Sequence, residues 1–144
     1  MFKLPSVKLL LMGWLTVSVV SCGWLPHSHT NRVSGVEPLI LQQGGKFDVF
    51  LSEGYLRLAK QAELERDYDA VEQFLARGLL ARQGALVDPE AISARRLPSF
   101  SVGELTDARM WLLQTLRLGA QEVYPWEAAR AQTMFDCWME EQEE

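Results

Sequence analysis

The sequence predicts an all-α protein, because apolar residues recur at helical spacing and glycine and proline interrupt that spacing at only a few places. From Phe47 onward, apolar side chains follow one another at intervals of three and four residues. This pattern predicts one helix from residue 47 to about residue 67 and a second from about residue 69 to residue 83. The join between them is short, so we expect an antiparallel hairpin.

The second half of the body predicts another pair of helices. Residues 84–101 break the helical pattern and include Pro89 and Pro98. Ser101 with Glu104 has the spacing of a capping box, so a third helix is expected over residues 102–123. Pro125 suits the first turn of a fourth helix.

A faint internal repeat links the two pairs. The run Leu56-Arg-Leu-Ala-Lys-Gln precedes Tyr68-Asp-Ala-Val, and Leu116-Arg-Leu-Gly-Ala-Gln precedes Trp126-Glu-Ala-Ala. Helix, tight turn and helix in this order are typical of a tetratricopeptide (TPR) repeat, whose period is about 34 residues and which needs at least about three copies. Because the spacing here is longer, we expect two antiparallel TPR-like hairpins packed as a compact four-helix unit.

The N-terminus has the layout of a lipoprotein signal. Lys3 and Lys8 precede an apolar stretch over residues 9–20, and the motif Val19-Val20-Ser21-Cys22 is a lipobox. The chain is therefore divided into a signal peptide (1–21), a lipidated N-terminus and flexible linker (22–46) and a helical domain (47–144). Cys22 is the expected lipidation site, where the sulfur takes up a diacylglyceryl group and the freed amine a further acyl chain such as palmitate. The alternative is an uncleaved membrane anchor over residues 9–25, which is at the short limit for crossing a bilayer.

The linker carries two histidines but no convincing metal site. Pro26, Pro38, Gly44 and Gly45 lie among small polar residues, a composition typical of a flexible spacer. His27 and His29 are two ligands without a nearby cysteine or carboxylate, so they are interpreted as solvated linker histidines. We expect no metal and no cofactor.

The charge of the chain argues against two classes of partner. The net charge is −5, and removal of Lys3 and Lys8 with the signal leaves 12 basic against 19 acidic residues, a net charge of −7. An acidic chain argues against binding to nucleic acid or adsorption to anionic lipid. Membrane attachment is therefore expected through the lipid on Cys22.

The expected body contains few of the parts that catalysis needs. Residues 47–144 include no histidine, so neither a Ser-His-Asp nor a Cys-His arrangement can form within them. There is no phosphate-binding glycine loop. The acidic residues fall on the polar faces of the predicted helices and are interpreted as solvated. No catalytic residue is predicted, and the chain is expected not to be an enzyme.

Cys137 and the acidic end of the chain are the remaining features. In Phe135-Asp136-Cys137-Trp138, the cysteine is either a small buried hydrophobic residue or the site of a disulfide to another chain. Glu140, Glu141, Glu143 and Glu144 oppose the dipole of a helix C-terminus, so this end is expected to fray unless something binds it.

The last predicted helix carries a family resemblance. The segment from Ala128 to Glu144, most specifically Phe135-Asp136-Cys137-Trp138 with its acidic-Gln run, resembles the N-terminal helical region of OmpA-family outer-membrane lipoproteins of alphaproteobacteria. In that family a C-terminal domain that binds peptidoglycan follows, and none of its binding residues are present here. A longer chain could also supply a partner for Cys137.

Together these features predict a non-enzymatic lipoprotein on the periplasmic face of the outer membrane. The residue directly after Cys22 is Gly23 and not Asp, and in this respect the chain resembles lipoproteins that are sorted to the outer membrane. The helical domain is expected to be an interaction or scaffold module for an envelope protein partner. The alternative is a structural cell-wall tether, a truncated relative of the OmpA-family proteins that bind peptidoglycan.

Overall fold

A computed structural model describes residues 44–143 of the chain. The elements are α1 (Lys46–Glu65), α2 (Tyr68–Arg82), a 3₁₀ turn (Ile92–Ala94), α3 (Ser99–Thr115), a wide π turn (Leu116–Ala120), α4 (Gln121–Val123) and α5 (Pro125–Glu141). The described range contains no strand, so the all-α prediction is confirmed there. The signal peptide, Cys22, the linker histidines and nearly all of the linker lie outside the described residues.

Helices α1 and α2 form an antiparallel pair around a turn that the sequence predicts well. Arg66 ends α1 in the left-handed region, with a φ of 68°. Asp67 caps α2, because its side chain accepts a hydrogen bond of 2.9 Å from the amide of Ala70. Further along, a Cβ added to Gly78 would lie 3.3 Å from the Cβ of Tyr55, so the two helices touch nearly backbone to backbone.

Helix α5 packs beside α1 and runs in the same direction. A Cβ on Gly54 would lie 2.6 Å from the Cγ2 of Thr133, which shows how closely the two helices approach. Tyr55, the next residue on α1, bonds to Asp136 on α5. The N-terminal residue Phe47 shares a buried cluster with Ala128 near the start of α5. Both helices therefore begin at the same end of the molecule.

Helix α3 returns along the far side of α5. Leu105 is fully buried in a small cluster with Phe135 and Met139 of α5. At the other end of this hairpin, Leu116 lies in the larger cluster that contains Phe47. The π turn and α4 therefore close the α3–α5 hairpin at the end of the molecule where α1 begins.

The third helix differs from the prediction at both ends. It starts at Ser99, directly after Pro98, and the Ser101 hydroxyl donates to the Pro98 carbonyl at 3.0 Å. The predicted capping box with Glu104 is therefore wrong. The helix ends at Thr115 instead of residue 123, because Gly119 adopts a φ of 94° within the π turn and breaks the regular hydrogen-bond ladder.

The acidic end of the chain is held in place up to Glu143. Helix α5 continues to Glu141, and the Glu143 carboxylate forms an ion pair with Arg95 at 3.2 Å and accepts from the amide of Arg96 at 2.9 Å. The C-terminal end was expected to fray unless something binds it. The segment between α2 and α3 is what binds this end. These contacts offset the unfavourable interaction between the glutamate charges and the negative end of the helix dipole.

Candidate functional site

Five polar side chains from four parts of the fold meet inside the molecule, and we call them the buried polar cluster. Tyr55 comes from α1, Arg77 from α2, and Gln132 and Asp136 from α5. Glu90 comes from the connector, which is the segment of residues 83–98 between α2 and α3. Asp136 and Gln132 are fully buried, and Tyr55 is equally inaccessible.

Asp136 is the centre of this cluster. Its Oδ2 accepts a hydrogen bond of 2.5 Å from the Tyr55 hydroxyl and forms an ion pair of 2.8 Å with Nη2 of Arg77. Its Oδ1 accepts from the backbone amide of Glu90 at 2.8 Å. One carboxylate thus joins α1, α2, α5 and the connector. Three donors around one buried carboxylate are what its burial requires, because an unpaired charge there would be strongly unfavourable.

The same cluster holds the connector through its main-chain carbonyls. Nε2 of Gln132 donates to the carbonyl of Val87 at 2.6 Å, and Arg77 donates to that of Asp88. Arg109 of α3 donates to the carbonyls of Glu90 at 2.7 Å and Pro89 at 3.0 Å. Four consecutive carbonyls of a segment without regular structure are therefore satisfied by side chains, which fixes its path over the helices.

In the buried polar cluster, burial is the largest single influence on the pKa of each titratable group. Burial raises the pKa of the Tyr55 phenol, and the neighbouring charge of Asp136 raises it further. Burial also raises the pKa of Glu90, although Arg95, 3.2 Å away, opposes this effect. For Asp136, burial raises the pKa, and the charge of Arg77 with the donated hydrogen bonds acts against it. Burial alone would lower the pKa of Arg77, but the charges of Asp136 and Glu90 and the interaction with Tyr55 together outweigh it and raise the value.

The arrangement is suited to holding helices in register. A phenol with a raised pKa keeps its proton and is a poor general acid, and Asp136 is surrounded by donors from the protein itself. Within the cluster, Arg77 keeps a side chain that is 22% exposed, and its guanidinium also lies 5.1 Å from the centre of the Tyr55 ring. The cluster thus links the α1–α2 pair to α5 and to the connector.

Sequence reasoning missed this cluster, because it assigned the acidic residues to solvated helix faces. Asp136 and Glu90 are buried, whereas Glu53, Glu63, Glu65 and Glu72 are exposed as expected. A signal was present in the spacing. Gln132, Thr133, Asp136 and Glu140 recur at three- and four-residue intervals together with Ala129, so a polar stripe occupies the inward face of α5.

A second candidate site lies on the outside of α3. Only Ser101 and Leu105 of this helix are buried. Large apolar side chains point to solvent instead, and Phe100, Trp111 and Leu118 are 83%, 62% and 80% exposed. We call Phe100, Met110, Trp111 and Leu118 the α3 face.

An open groove of about 650 Å³ runs beside this face. Its walls combine apolar and cationic side chains, and the lining residues are Ile92, Thr106, Arg109, Met110, Leu113, Gln114, Arg117 and Leu118. No acidic residue belongs to this lining. Large exposed apolar side chains beside an open groove are characteristic of a binding surface.

Of the two cysteines assigned roles from the sequence, one lies in the described range. Cys137 is buried on α5, and its Sγ lies 3.9 Å from Oε1 of Glu141. It is not a free thiol. Cys22 itself lies outside that part, so its lipidation stays a prediction.

Residues 44–143 lack two features that would indicate a metal ligand or a membrane span. No group of histidine, cysteine and acidic side chains in this range is arranged to hold a metal ion. No helix in the same range has the length and apolar character needed to cross a bilayer. Comparison of the chain with protein families, curated proteins and solved structures finds no match to any of them.

Proposed function

We propose that the protein is a non-enzymatic lipoprotein of the outer membrane whose helical body is an interaction module on the periplasmic side. The acylated Cys22 is the anchor, residues 22–46 are the tether, and the α3 face is the docking surface for an envelope protein. The observation that carries this proposal is the α3 face, where a helix of 17 residues buries only two of them and leaves its largest apolar side chains in solvent.

The position of α3 supports this role. It contacts the rest of the fold mainly through Leu105 and through Arg109, whose guanidinium binds two connector carbonyls. Its opposite side is open. Helices that lie at the edge of a bundle and expose an apolar stripe commonly receive a second apolar helix.

The chemistry of the groove indicates the kind of partner. The charged residues of the lining are Arg109 and Arg117, and the apolar residues include Met110, Leu113 and Leu118. The surface therefore fits an amphipathic helix with an apolar stripe and at least one carboxylate. An acidic helix would be complementary in charge to the groove, although the chain as a whole is acidic.

Site-specific photo-crosslinking in cells tests this docking surface. A benzoylphenylalanine replaces Trp111 in one strain and Leu64 in another, since Leu64 is also exposed but lies near the end of α1. We expect one adduct of defined mass from position 111 and none from position 64. Equal labelling from both positions, or no adduct from position 111, would contradict the proposed surface.

A substitution that changes the charge of the groove makes the same experiment more specific. The substitution Arg117→Glu inverts the charge of the groove without removing an apolar contact, and Arg57→Glu is a matched control on an exposed position of α1. We expect Arg117→Glu to weaken the adduct from position 111 and Arg57→Glu to leave it unchanged.

The anchor is tested by the intact mass of the native protein, measured with and without a reductant. The chain has two cysteines, so a lipid thioether on Cys22 and a disulfide between Cys22 and Cys137 exclude each other. We expect the mass to show the loss of residues 1–21 and a gain of acyl chains. Reduction should change the mass only by releasing another molecule held through an intermolecular disulfide. An intact Met1, or a non-acylated chain that gains two mass units on reduction, would contradict the lipoprotein assignment.

The finer architecture belongs to the same proposal. We infer that α1 and α2 form a TPR-like hairpin within a compact four-helix unit. The close approach at Gly78, the small residues Ala59 and Ala62 on α1 and Ala70 on α2, and the tight turn at Asp67 support this inference. Such hairpins serve widely as protein-binding units.

A peptidoglycan pull-down separates this function from the cell-wall tether that the OmpA resemblance implies. The mature protein is incubated with purified sacculi and sedimented. If the protein is an adaptor for an envelope partner, we expect it to stay in the supernatant. Sedimentation with sacculi in the absence of other proteins would favour the tether.

A further inference from the structure

A second apolar surface lies at the end of the molecule where the described chain begins. Val123 and Tyr124 are 66% and 61% exposed, and Trp126 is about half exposed on the first turn of α5. We call these three residues the end patch. They are separate from the α3 face and take no part in the buried polar cluster, so neither function described above accounts for them.

The start of α1 lies beside this patch. Phe47, at the second position of α1, packs in one cluster with Leu116 and Ala128, which flank residues 117–127 in the chain. Helix α1 also contacts α4, which contains Val123. The chain that precedes Gly44 therefore enters the fold at the end patch, whatever its conformation further upstream.

The sequence just before that entry point is the most apolar part of the linker. Leu39-Ile40-Leu41 is a run of three large aliphatic residues, followed by Gln42, Gln43 and the pair Gly44-Gly45. Leu41 and Lys46 are five positions apart in the chain, and at about 3.3–3.6 Å per residue these five steps span at most roughly 18 Å. Because α1 contacts α4, we expect a segment of this length to reach Val123 or Tyr124, and the glycine pair permits a sharp reversal.

We propose that Leu39-Ile40-Leu41 docks on the end patch of its own chain. Three aliphatic side chains would cover the exposed faces of Val123, Tyr124 and Trp126. Arg130 already contacts one face of the Trp126 ring, with its guanidinium carbon 5.4 Å from the ring centre. A segment tethered a few residues away acts at a high effective concentration, so even a small apolar contact forms readily.

The docking has a consequence for the tether. When the segment is bound, residues 22–38 alone separate Cys22 from the body, and the remaining eight linker residues lie against it. The proposal does not depend on acylation of Cys22 or on the α3 face, so its failure would leave the proposed function intact.

Photo-crosslinking within the purified mature chain tests the proposal. A benzoylphenylalanine replaces Ile40, and the crosslinked peptide is identified by mass spectrometry after proteolysis. The matched control carries the same group at Val33, which belongs to the same linker but precedes the apolar run. From position 40 we expect an intramolecular adduct to the peptide that contains residues 118–130. The yield of this adduct from position 33 should be at least about tenfold lower, which corresponds to a loss of roughly 1.4 kcal/mol of contact.

Substitutions on the patch complete the test. Val123→Ser with Tyr124→Ser changes two exposed side chains and should reduce the adduct from position 40, whereas Leu64→Ser at the opposite end of α1 should not. Circular dichroism confirms that each variant is folded. An adduct between two molecules would show that a second copy covers the patch instead, and adducts spread over other helices, or none, would also overturn the proposal.

Discussion

Helices α3 and α5 have the same length of 17 residues and form one hairpin, yet they relate to the fold in opposite ways. Helix α5 buries nine of its residues, including Gln132, Asp136 and Glu140, and helix α3 buries two. The polar stripe is inside and the aromatic side chains Phe100 and Trp111 are outside. Apolar character alone therefore does not tell which helix forms the core of this molecule.

The difference has a physical origin in the partners that each helix meets. Helix α5 lies between α1, the connector and α3, so its polar residues find donors and acceptors on several sides. Helix α3 lies at the edge, where it packs on α5 and the connector and reaches the larger core cluster through the partly buried Leu112. Its remaining apolar surface has no element of the described chain to cover it, which is the reason for assigning it to a partner.

The largest effect should come from removal of the Asp136 carboxylate. Asp136→Ala leaves Arg77 without its ion pair and the Glu90 amide without an acceptor, so we expect the free energy of unfolding to fall by about 3–5 kcal/mol. Chemical denaturation followed by circular dichroism measures this change. Asp107→Ala on the exposed side of α3 is the control, with an expected change within about 0.5 kcal/mol. Similar losses in the two variants would remove the contrast between the helices.

Truncation of Leu105 should release α3 selectively. Leu105→Ala creates a cavity against Phe135 and Met139, and a loss of about 2–3 kcal/mol is expected for a buried leucine in a site that can relax. Because this side chain is the main apolar anchor of α3, amide protection should fall over residues 99–115 and persist in α1. A uniform loss of protection over all helices would show that α3 belongs to the cooperative core.

Tyr55→Phe should alter the response of stability to alkaline pH. The pKa of Tyr55 is raised in the folded state above its ordinary value near 10, so its stabilising contribution is present below about pH 10 and is lost as the pH rises further. The variant should lose about 2 kcal/mol at neutral pH with the hydrogen bond to Asp136. Above pH 10 its free energy of unfolding should fall less steeply than that of the wild type, by up to about 1.4 kcal/mol per pH unit.

Denaturation of both proteins at several pH values between 8 and 11.5 measures the two slopes. Tyr68→Phe is the matched control, because this phenol is exposed at the start of α2. Equal slopes in wild type and Tyr55→Phe would contradict a buried phenol that must ionise on unfolding.

The smallest effect on folding should come from the α3 face. Trp111→Ser removes the largest exposed side chain of α3, and we expect the free energy of unfolding to change by no more than about 0.5 kcal/mol. Thermal denaturation checks this expectation. A large loss of stability would mean that Trp111 supports the fold of α3 and would contradict its assignment to a docking surface.

The sequence was sufficient to predict the fold class and the first hairpin. Helical periodicity placed α1 and α2 within two residues of their observed ends, and Pro125 marked the start of α5. The break at Gly119 was missed, because glycine at an inward position of a long apolar pattern is compatible with a continuous helix. Only the packing of Leu116 against the α1 end shows why the chain turns there.

The buried polar cluster was beyond sequence reasoning for a different reason. Its members are far apart in the chain, and the bond between Tyr55 and Asp136 joins residues 81 positions apart. Periodicity reports which residues share a face of one helix, but it does not report which faces meet. The exposure of the apolar residues Leu75 and Leu79 on α2 has the same cause.

Native-state hydrogen exchange of the purified mature protein tests the contrast between α3 and α5 most directly. If α5 is the scaffold and α3 a peripheral helix that presents its outer face to a partner, amides in residues 99–115 should exchange at least about tenfold faster than those in residues 128–139, by local opening. Equal protection of the two helices, changing together with denaturant, would show that they unfold as one unit and would contradict the account.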